Sequence, residues 1–307
     1  MLAMLMWPTA LSAEIQIHDY ITPFIQAFRT VERPSAATFE SLILQNEFLL
    51  SRELGSTYYN RLNESEKREL LQTNLSPFAR ALPTLIPVYD QKLVEVREII
   101  VAMEERFKSS LNIELNFPVY LWVALENTDG KSTDINNTAG FSLNFRMLAE
   151  SSKTELEILT SHEFFHVVQV TLIGTANEES VGLNLMSEGW ATYVSSLVVP
   201  GSPDYKYVSY WLKDDSQFRE FQRSEKEALV SLLKDFDKSG WSASRRYFSG
   251  NPKDSTPFPP RIGYYIGYKL AQRLARTLSV SQVVRIKFPQ FKKVAKNELK
   301  KMLAEPK

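Results

Sequence analysis

The chain has 307 residues, 44% of them hydrophobic and 12% aromatic, which is enough for a sizeable core in one large domain or two ordinary ones and too many for a disordered chain. Thirty-six Lys+Arg balance thirty-six Asp+Glu, so the net charge is zero, and no nucleic-acid partner is expected because that needs a basic footprint. Cysteine is absent, which excludes disulfides, thiol catalysis, iron–sulfur clusters and Cys-ligated zinc; with only His18, His162 and His166 available, any metal site must combine few imidazoles with carboxylates.

Residues 1–13, MLAMLMWPTALSA, form an apolar stretch ending in small residues and followed by polar Glu14-Ile15-Gln16. The pattern is that of the end of a secretory signal peptide cleaved near Ala10, Ser12 or Ala13, and predicts export to the periplasm or medium, with a cytoplasmic location as the alternative. No Lys or Arg precedes the apolar run, so the natural chain is expected to begin upstream. No run reaches the roughly 18–20 apolar residues of a spanning helix, and no transmembrane anchor is expected in the mature chain.

Residues 14–114 read as an N-terminal helical region. One helix opens at Thr38–Leu44 and another includes Ser65–Leu71. Pro77, Pro83 and Pro87 then punctuate the chain before a strong helix from about Tyr89 to Phe107, with Leu93, Val96, Ile100, Met103 and Phe107 at spacings of three and four. The texture changes at 111–148, and 115–307 reads as a second region, followed to the C-terminal helices. Ile113, Leu115, Phe117, Val119, Leu121 and Val123 alternate as in a strand; a turn-rich stretch runs from Asn127 to Asn137, and Ala139–Arg146 alternates again. Helices follow at about 154–173, 185–198, most of 205–236 and 262–278, with Gly174 as a stop after the first and a proline-rich loop at 250–260. The fold class is therefore α+β, mostly helical, with a small antiparallel or mixed sheet before the helix at 154–173. Residues 285–307 carry eight Lys/Arg and two Asp/Glu around Phe288, Phe291, Val294 and Leu299, and read as a helix with a solvated basic face rather than an anionic-surface contact.

The chemistry lies in His162-Glu163-Phe164-Phe165-His166, an H-E-x-x-H motif. Histidines at i and i+4 share one helical face, so both imidazoles reach one metal ion. Glu163, beside the first, can contact a metal-bound water without being a ligand. Zinc needs a third protein ligand and leaves a fourth position for water. His18 could serve only if the N-terminus folded back. Glu178 and Glu179 fall in a polar loop and are expected to be solvated. Glu188, in Ser187-Glu188-Gly189-Trp190-Ala191-Thr192-Tyr193, lies twenty-two residues past His166 on the next helix, where small Gly189 and Ala191 would let the two helices pack closely. The expected metal set is His162, His166 and Glu188, holding Zn2+.

His162–His166 together with Glu188-Gly189-Trp190-Ala191 resembles the gluzincin arrangement of zinc metallopeptidases. More narrowly, the chain is similar to a family of predicted zinc-dependent proteases filed as a domain of unknown function, which adds a later G-Y-x-x-G-Y segment, here Gly263-Tyr264-Tyr265-Ile266-Gly267-Tyr268. The resemblance spans about 115–280 and implies a zincin-like core. It departs at two points. Thr192 stands where many gluzincins carry an acidic residue that orients a zinc histidine. Only His18 remains for an oxyanion-stabilising histidine, which leaves that role to a tyrosine; the resemblance implies that the Gly-Tyr segment lies near the zinc and so points to Tyr264, with Tyr265 and Tyr193 as alternatives.

The resemblance implies a zinc metallopeptidase acting on a peptide or protein substrate. Glu163 would act as general base, and zinc with Tyr264 would hold the oxyanion. An edge strand before the H-E-x-x-H helix pairs with extended substrate in most zincins, so Gly140, Phe141, Ser142 and Leu143 are expected to line the cleft. The rival reading is a zinc-binding interaction or chaperone-like protein on the same fold. Specificity and oligomeric state are not legible.

Overall fold

Alternation along 113–123 is the clue to the sheet. Ile113, Leu115, Phe117, Val119, Leu121 and Val123 are all buried, while Glu114 and Asn116 between the first three are exposed. Only β2, Val119–Trp122, finds ladder partners. The structure, a computed structural model, describes residues 15–30, 37–38, 40–45, 63–123, 130–135, 138–173, 180–209, 212, 214–255 and 257–305; for 67–68, 70–81, 130–142, 144–146 and 171 it describes the backbone alone. The signal-peptide-like segment, Gly174, Glu178 and Glu179 lie outside the described residues.

Four strands form one mixed sheet in the order β1-β2-β4-β3, with β1 at Ile17–Asp19, β3 at Gly130–Ile135 and β4 at Thr138–Asn144. β1 and β4 both pair parallel to β2, with His18 opposite Tyr120 and Phe141 opposite Val119. β3 pairs antiparallel to β4, Ile135 opposite Thr138 and Gly130 opposite Leu143. Two readings of the sequence are corrected here. Ile17–Asp19, in a region expected to be helical, is a strand; three residues are too few to show a period. The turn-rich stretch before Asn137 contains β3, whose Gly-Lys-Ser-Thr-Asp-Ile composition suits an edge strand.

Among the described residues the remaining elements are helical. Helix α1 is Ile21–Arg29, and residues 37–38 and 40–45 are helical. Helix α2, Glu64–Leu111, runs 48 residues through Pro77, Pro83 and Pro87, where breaks were expected. It opens on a reciprocal cap between Asn63 and Glu66. Leu82, Leu85, Ile86, Tyr89, Val96, Ile99 and Ile100 are buried in its later part, so packing there continues on both sides of two of the prolines and outweighs the backbone bonds they remove.

Then follow α3 (Phe145–Glu150), α4 (Lys153–Ile173), α5 (Val181–Val198), α6 (Asp204–Val208), α7 (Ser216–Asp235), α8 (Trp241–Phe248), α9 (Pro252–Ser255, inside the expected proline loop), α10 (Ile262–Leu274), α11 (Val280–Arg285) and α12 (Phe288–Ala304). One hydrophobic core extends from Ile15 to Met302 and takes in both the N-terminal helices and the later ones. Among the described residues no helix is long and apolar enough to cross a membrane.

Candidate metal centre

Helix α4 begins with a second reciprocal cap: the Glu155 carboxylate accepts the Ser152 N–H at 2.8 Å and the Ser152 hydroxyl accepts the Glu155 N–H at 3.3 Å. Leu156, Ile158, Leu159, Phe164, Phe165, Val167 and Val168 are all buried, and between Ile158 and Gln169 the residues of α4 that are not buried are His162, Glu163 and His166. Phe164 meets Phe117 edge-on at 4.9 Å, which ties α4 to the extended segment before β2.

Helix α5 brings Glu188 to that face from mid-helix rather than from the early turn expected. Its start is fixed by the Ser180 hydroxyl, which accepts the Leu183 N–H, and by Val181 and Gly182 N–H bonds to the carbonyls of Lys238 and Phe236. Two residues past the glutamate, buried Trp190 donates to the Val283 carbonyl at 2.6 Å and meets Phe291 edge-on at 5.1 Å. The small residue next to Glu188 serves a neighbour other than the one expected. Gly189 lies against Gly267 of α10, where a Cβ would come within 2.5 Å of the Gly267 main chain.

The three expected donors converge. His162 Nε2 is 3.1 Å from Glu188 Oε2, His166 Nε2 is 3.1 Å from His162 Nε2, and His166 Nε2 is 3.4 Å from Glu188 Oε2. Ligands about 2.0–2.1 Å from a tetrahedral zinc stand roughly 3.3–3.4 Å apart, so the cluster has the dimensions of three corners of such a site. The side chains retain 13%, 12% and 23% exposure, sheltered yet open to solvent on one side. Among the described residues this is the one His/Cys/Asp/Glu group of three or more able to hold a metal ion.

Electrostatics couple the three. Burial pushes the His166 imidazolium down, but the charge and hydrogen bond of Glu188, with Glu163 behind them, raise it to about 9. Burial lifts the Glu188 carboxyl, and the His166 and His162 rings outweigh it, holding it well below the usual carboxylate range. A carboxylate and two imidazoles converging at one point form a cluster that could hold a metal ion.

Helix α10 supplies Tyr264, whose ring stacks on His162 at 6.0 Å and whose hydroxyl hydrogen-bonds to Glu188. Burial and the Glu188 charge push that hydroxyl well above its ordinary value, against the pull of Arg261, so it stays a proton donor. Arg261 stands in the left-handed region, φ 66°, at the start of α10, and its guanidinium lies 5.6 Å from the Tyr264 ring centre. Neither alternative tyrosine takes this place. Tyr265 donates to Glu225 at 2.8 Å, and Tyr193 is buried in the core. Thr192 donates to the Glu188 main-chain carbonyl at 2.8 Å and orients no histidine. His18 stacks on Tyr120 at 4.8 Å in the sheet, apart from the cluster.

The edge-strand expectation for Gly140, Phe141, Ser142 and Leu143 is corrected. These residues lie in β4, inside the sheet: β3 pairs along all four and β2 along Phe141, Ser142 and Leu143, so they do not form an edge strand. Three residues of the site went unread in the sequence: Ser187, which contacts His166, Gln169, which accepts from Ser187, and Arg261. Position was the available signal for the first two, since Ser187 precedes Glu188 and Gln169 lies one turn past His166 on the same face.

Two imidazoles and a carboxylate converging from adjacent helices, with an acid beside them and one side open, form a donor set suited to zinc. The family profile described as "Predicted Zn-dependent protease (DUF2268)" matches residues 97–293, from the later part of α2 into α12, and the chain belongs to that family. No curated protein and no solved structure matches the chain.

Proposed function

We propose that the protein is a gluzincin-type metallopeptidase in which His162, His166 and Glu188 hold zinc. The observation that carries this reading is the convergence of those three donors at tetrahedral spacing, with Glu163 and Tyr264 beside them. Zinc bound there supplies a Lewis acid and a water of lowered pKa, near 7 in comparable sites. Glu163, whose charge acts on both His166 and Tyr264, accepts a proton from the attacking water and returns it to the leaving amine. The Tyr264 hydroxyl, protonated across the working pH range, donates to the developing oxyanion.

The substrate strand passes from β4 to β3. Among the described residues β3 is one of the two edge strands of the sheet, paired to β4 on one side only, and it packs against α4. An extended peptide adding to Gly130–Ile135 lies alongside the metal helix and needs only main-chain hydrogen bonds to stay there.

The test is elemental analysis of purified protein beside His162→Ala, followed by a peptide-library screen with Glu163→Gln as control. About one zinc per chain, lost in His162→Ala, together with cleavage that stops in Glu163→Gln, is the expected result. A folded wild type without zinc, or cleavage that persists in Glu163→Gln, overturns it.

A further inference from the structure

A zinc histidine binds through one nitrogen and needs its other nitrogen held by a partner, often a carboxylate. Thr192 stands where that carboxylate was expected, and its hydroxyl is committed to the main chain of Glu188. The structure supplies a different partner for His166. The Ser187 hydroxyl lies 3.1 Å from His166 Nδ1 and donates to the Gln169 Oε1 at 3.0 Å. Gln169 is 6% exposed, and its Nε2 has no hydrogen-bond partner among the described residues, so the carboxamide is retained here for its carbonyl oxygen.

The direction of this chain follows from counting hydrogens. A serine hydroxyl has one. With that hydrogen on the Gln169 oxygen, the Ser187 oxygen can only accept from His166. In the neutral form that binds a metal, the imidazole then carries its hydrogen on Nδ1, and its Nε2 lone pair faces the point shared with His162 Nε2 and Glu188 Oε2. The opposite tautomer would place an N–H where the metal belongs.

We propose that Ser187 and Gln169 form a relay that fixes His166 in its Nδ1–H tautomer and so sets the zinc affinity of the site. Both are positioning residues: they act through His166 and touch neither substrate nor metal. The relay takes the place of the acidic residue missing at 192. Its elements come from both helices of the centre, Gln169 one turn past His166 on α4 and Ser187 next to Glu188 on α5, so the relay also couples the ring's orientation to the seating of the third ligand.

This inference rests on the zinc reading, and one titration separates the two. Metal-free full-length protein is titrated with zinc against a competing chelator, for wild type, Ser187→Ala, Gln169→Met, their double variant, Ser187→Thr and Gln169→Glu, with circular dichroism as the folding control. Ser187→Ala and Gln169→Met should each weaken zinc binding by about 10- to 100-fold. The double variant should lose no more than the worse single, because both remove one relay. Ser187→Thr and Gln169→Glu keep the hydroxyl and the acceptor and should retain wild-type affinity. In the zinc-loaded protein with labelled histidines, the His166 Nδ1–H resonance should be sharp in wild type and broadened by solvent exchange in Ser187→Ala; if that variant fails to fold, Gln169→Met gives the same readout. Zinc affinity within twofold of wild type and a sharp Nδ1–H in both truncations would overturn the relay and leave the zinc site standing. A folded wild type that binds no zinc overturns both.

Discussion

Gly189 and Gly267 meet main chain to main chain: a Cβ built on Gly189 would come within 2.5 Å of Gly267, and one built on Gly267 within 2.7 Å of Gly189. This contact sets the distance between α5, which carries Glu188, and α10, which carries Tyr264 three residues before Gly267. Gly267→Ala forces the two helices apart and should cost about 1–3 kcal/mol of stability, the usual range for overpacking. It should lower activity more than the stability loss explains, because Tyr264 is displaced from Glu188. Urea denaturation and turnover at a temperature where both proteins are folded measure the two effects; full activity in a folded Gly267→Ala protein would show that helix spacing does not govern the site.

Glu163→Gln separates metal holding from proton transfer. The carboxamide has nearly the shape of the carboxylate but cannot take a proton from water, and Glu163 is not among the three converging donors. Zinc content should stay at the wild-type level while kcat falls by about 10²–10⁴-fold, the range for loss of a general base. Parallel loss of zinc would place Glu163 in metal holding instead.

Chelation should loosen the contact between α4 and α5, because the ligands come from both. A ligand that binds only the folded state stabilises it by about 4 kcal/mol at a thousand times its Kd. Thermal melting with and without a chelator reads this directly. The expected outcome is a lower melting temperature in chelator for wild type and no chelator effect in Glu188→Ala.

Asp235 supports the same helix from below. It is buried at the end of α7, accepts hydrogen bonds from Tyr247 at 3.0 Å and Arg246 at 3.4 Å, and pairs with Lys238 at 2.7 Å. The residues just after it, Phe236 and Lys238, carry the carbonyls that hold the first turn of α5. Burial raises its carboxyl, but the Lys238, Tyr247 and Arg246 partners outweigh that and hold it below the ordinary 3.8. A depressed folded value contributes stability above the unfolded one and loses it as pH falls through the folded one. Asp235→Asn should therefore cost about 1–3 kcal/mol at pH 7, a deficit that shrinks below about pH 4 as the wild-type carboxylate is protonated. Urea denaturation at pH 7 and pH 3 tests this, and an equal deficit at both would assign the loss to packing.

The metal cluster could be read from the sequence because helical geometry makes i and i+4 neighbours whatever surrounds them, and few other residues could complete it. Glu188 followed from the shortage of alternatives. What stayed hidden depended on tertiary neighbours. Tyr264 and Tyr265 lie about 100° apart on α10, and nothing local shows which one faces His162 and which reaches Glu225. β3 has an edge-strand composition without apolar alternation to mark it, so β4 was taken for the edge although it lies inside the sheet. The prolines of α2 marked breaks by local rules, and packing on Leu82, Leu85, Ile86 and Tyr89 overrode them.

Tyr264→Phe is the sharpest test of the oxyanion assignment, because it removes one oxygen and leaves the ring stacked on His162. The hydroxyl bonds to Glu188 and is kept protonated by burial, so it can turn to a negative oxygen that develops nearby. Loss of a single oxyanion donor costs about 10²–10³-fold in kcat. An interaction made only in the transition state leaves KM nearly unchanged, whereas one that merely held the substrate would raise KM and spare kcat. Zinc affinity should stay close to wild type, since the tyrosine is not among the three donors. Steady-state kinetics on one cleaved peptide, with zinc titration alongside, distinguish these cases: a fall confined to kcat assigns the oxyanion to Tyr264, a rise confined to KM makes it a substrate contact, and a joint loss of zinc makes it a support for Glu188.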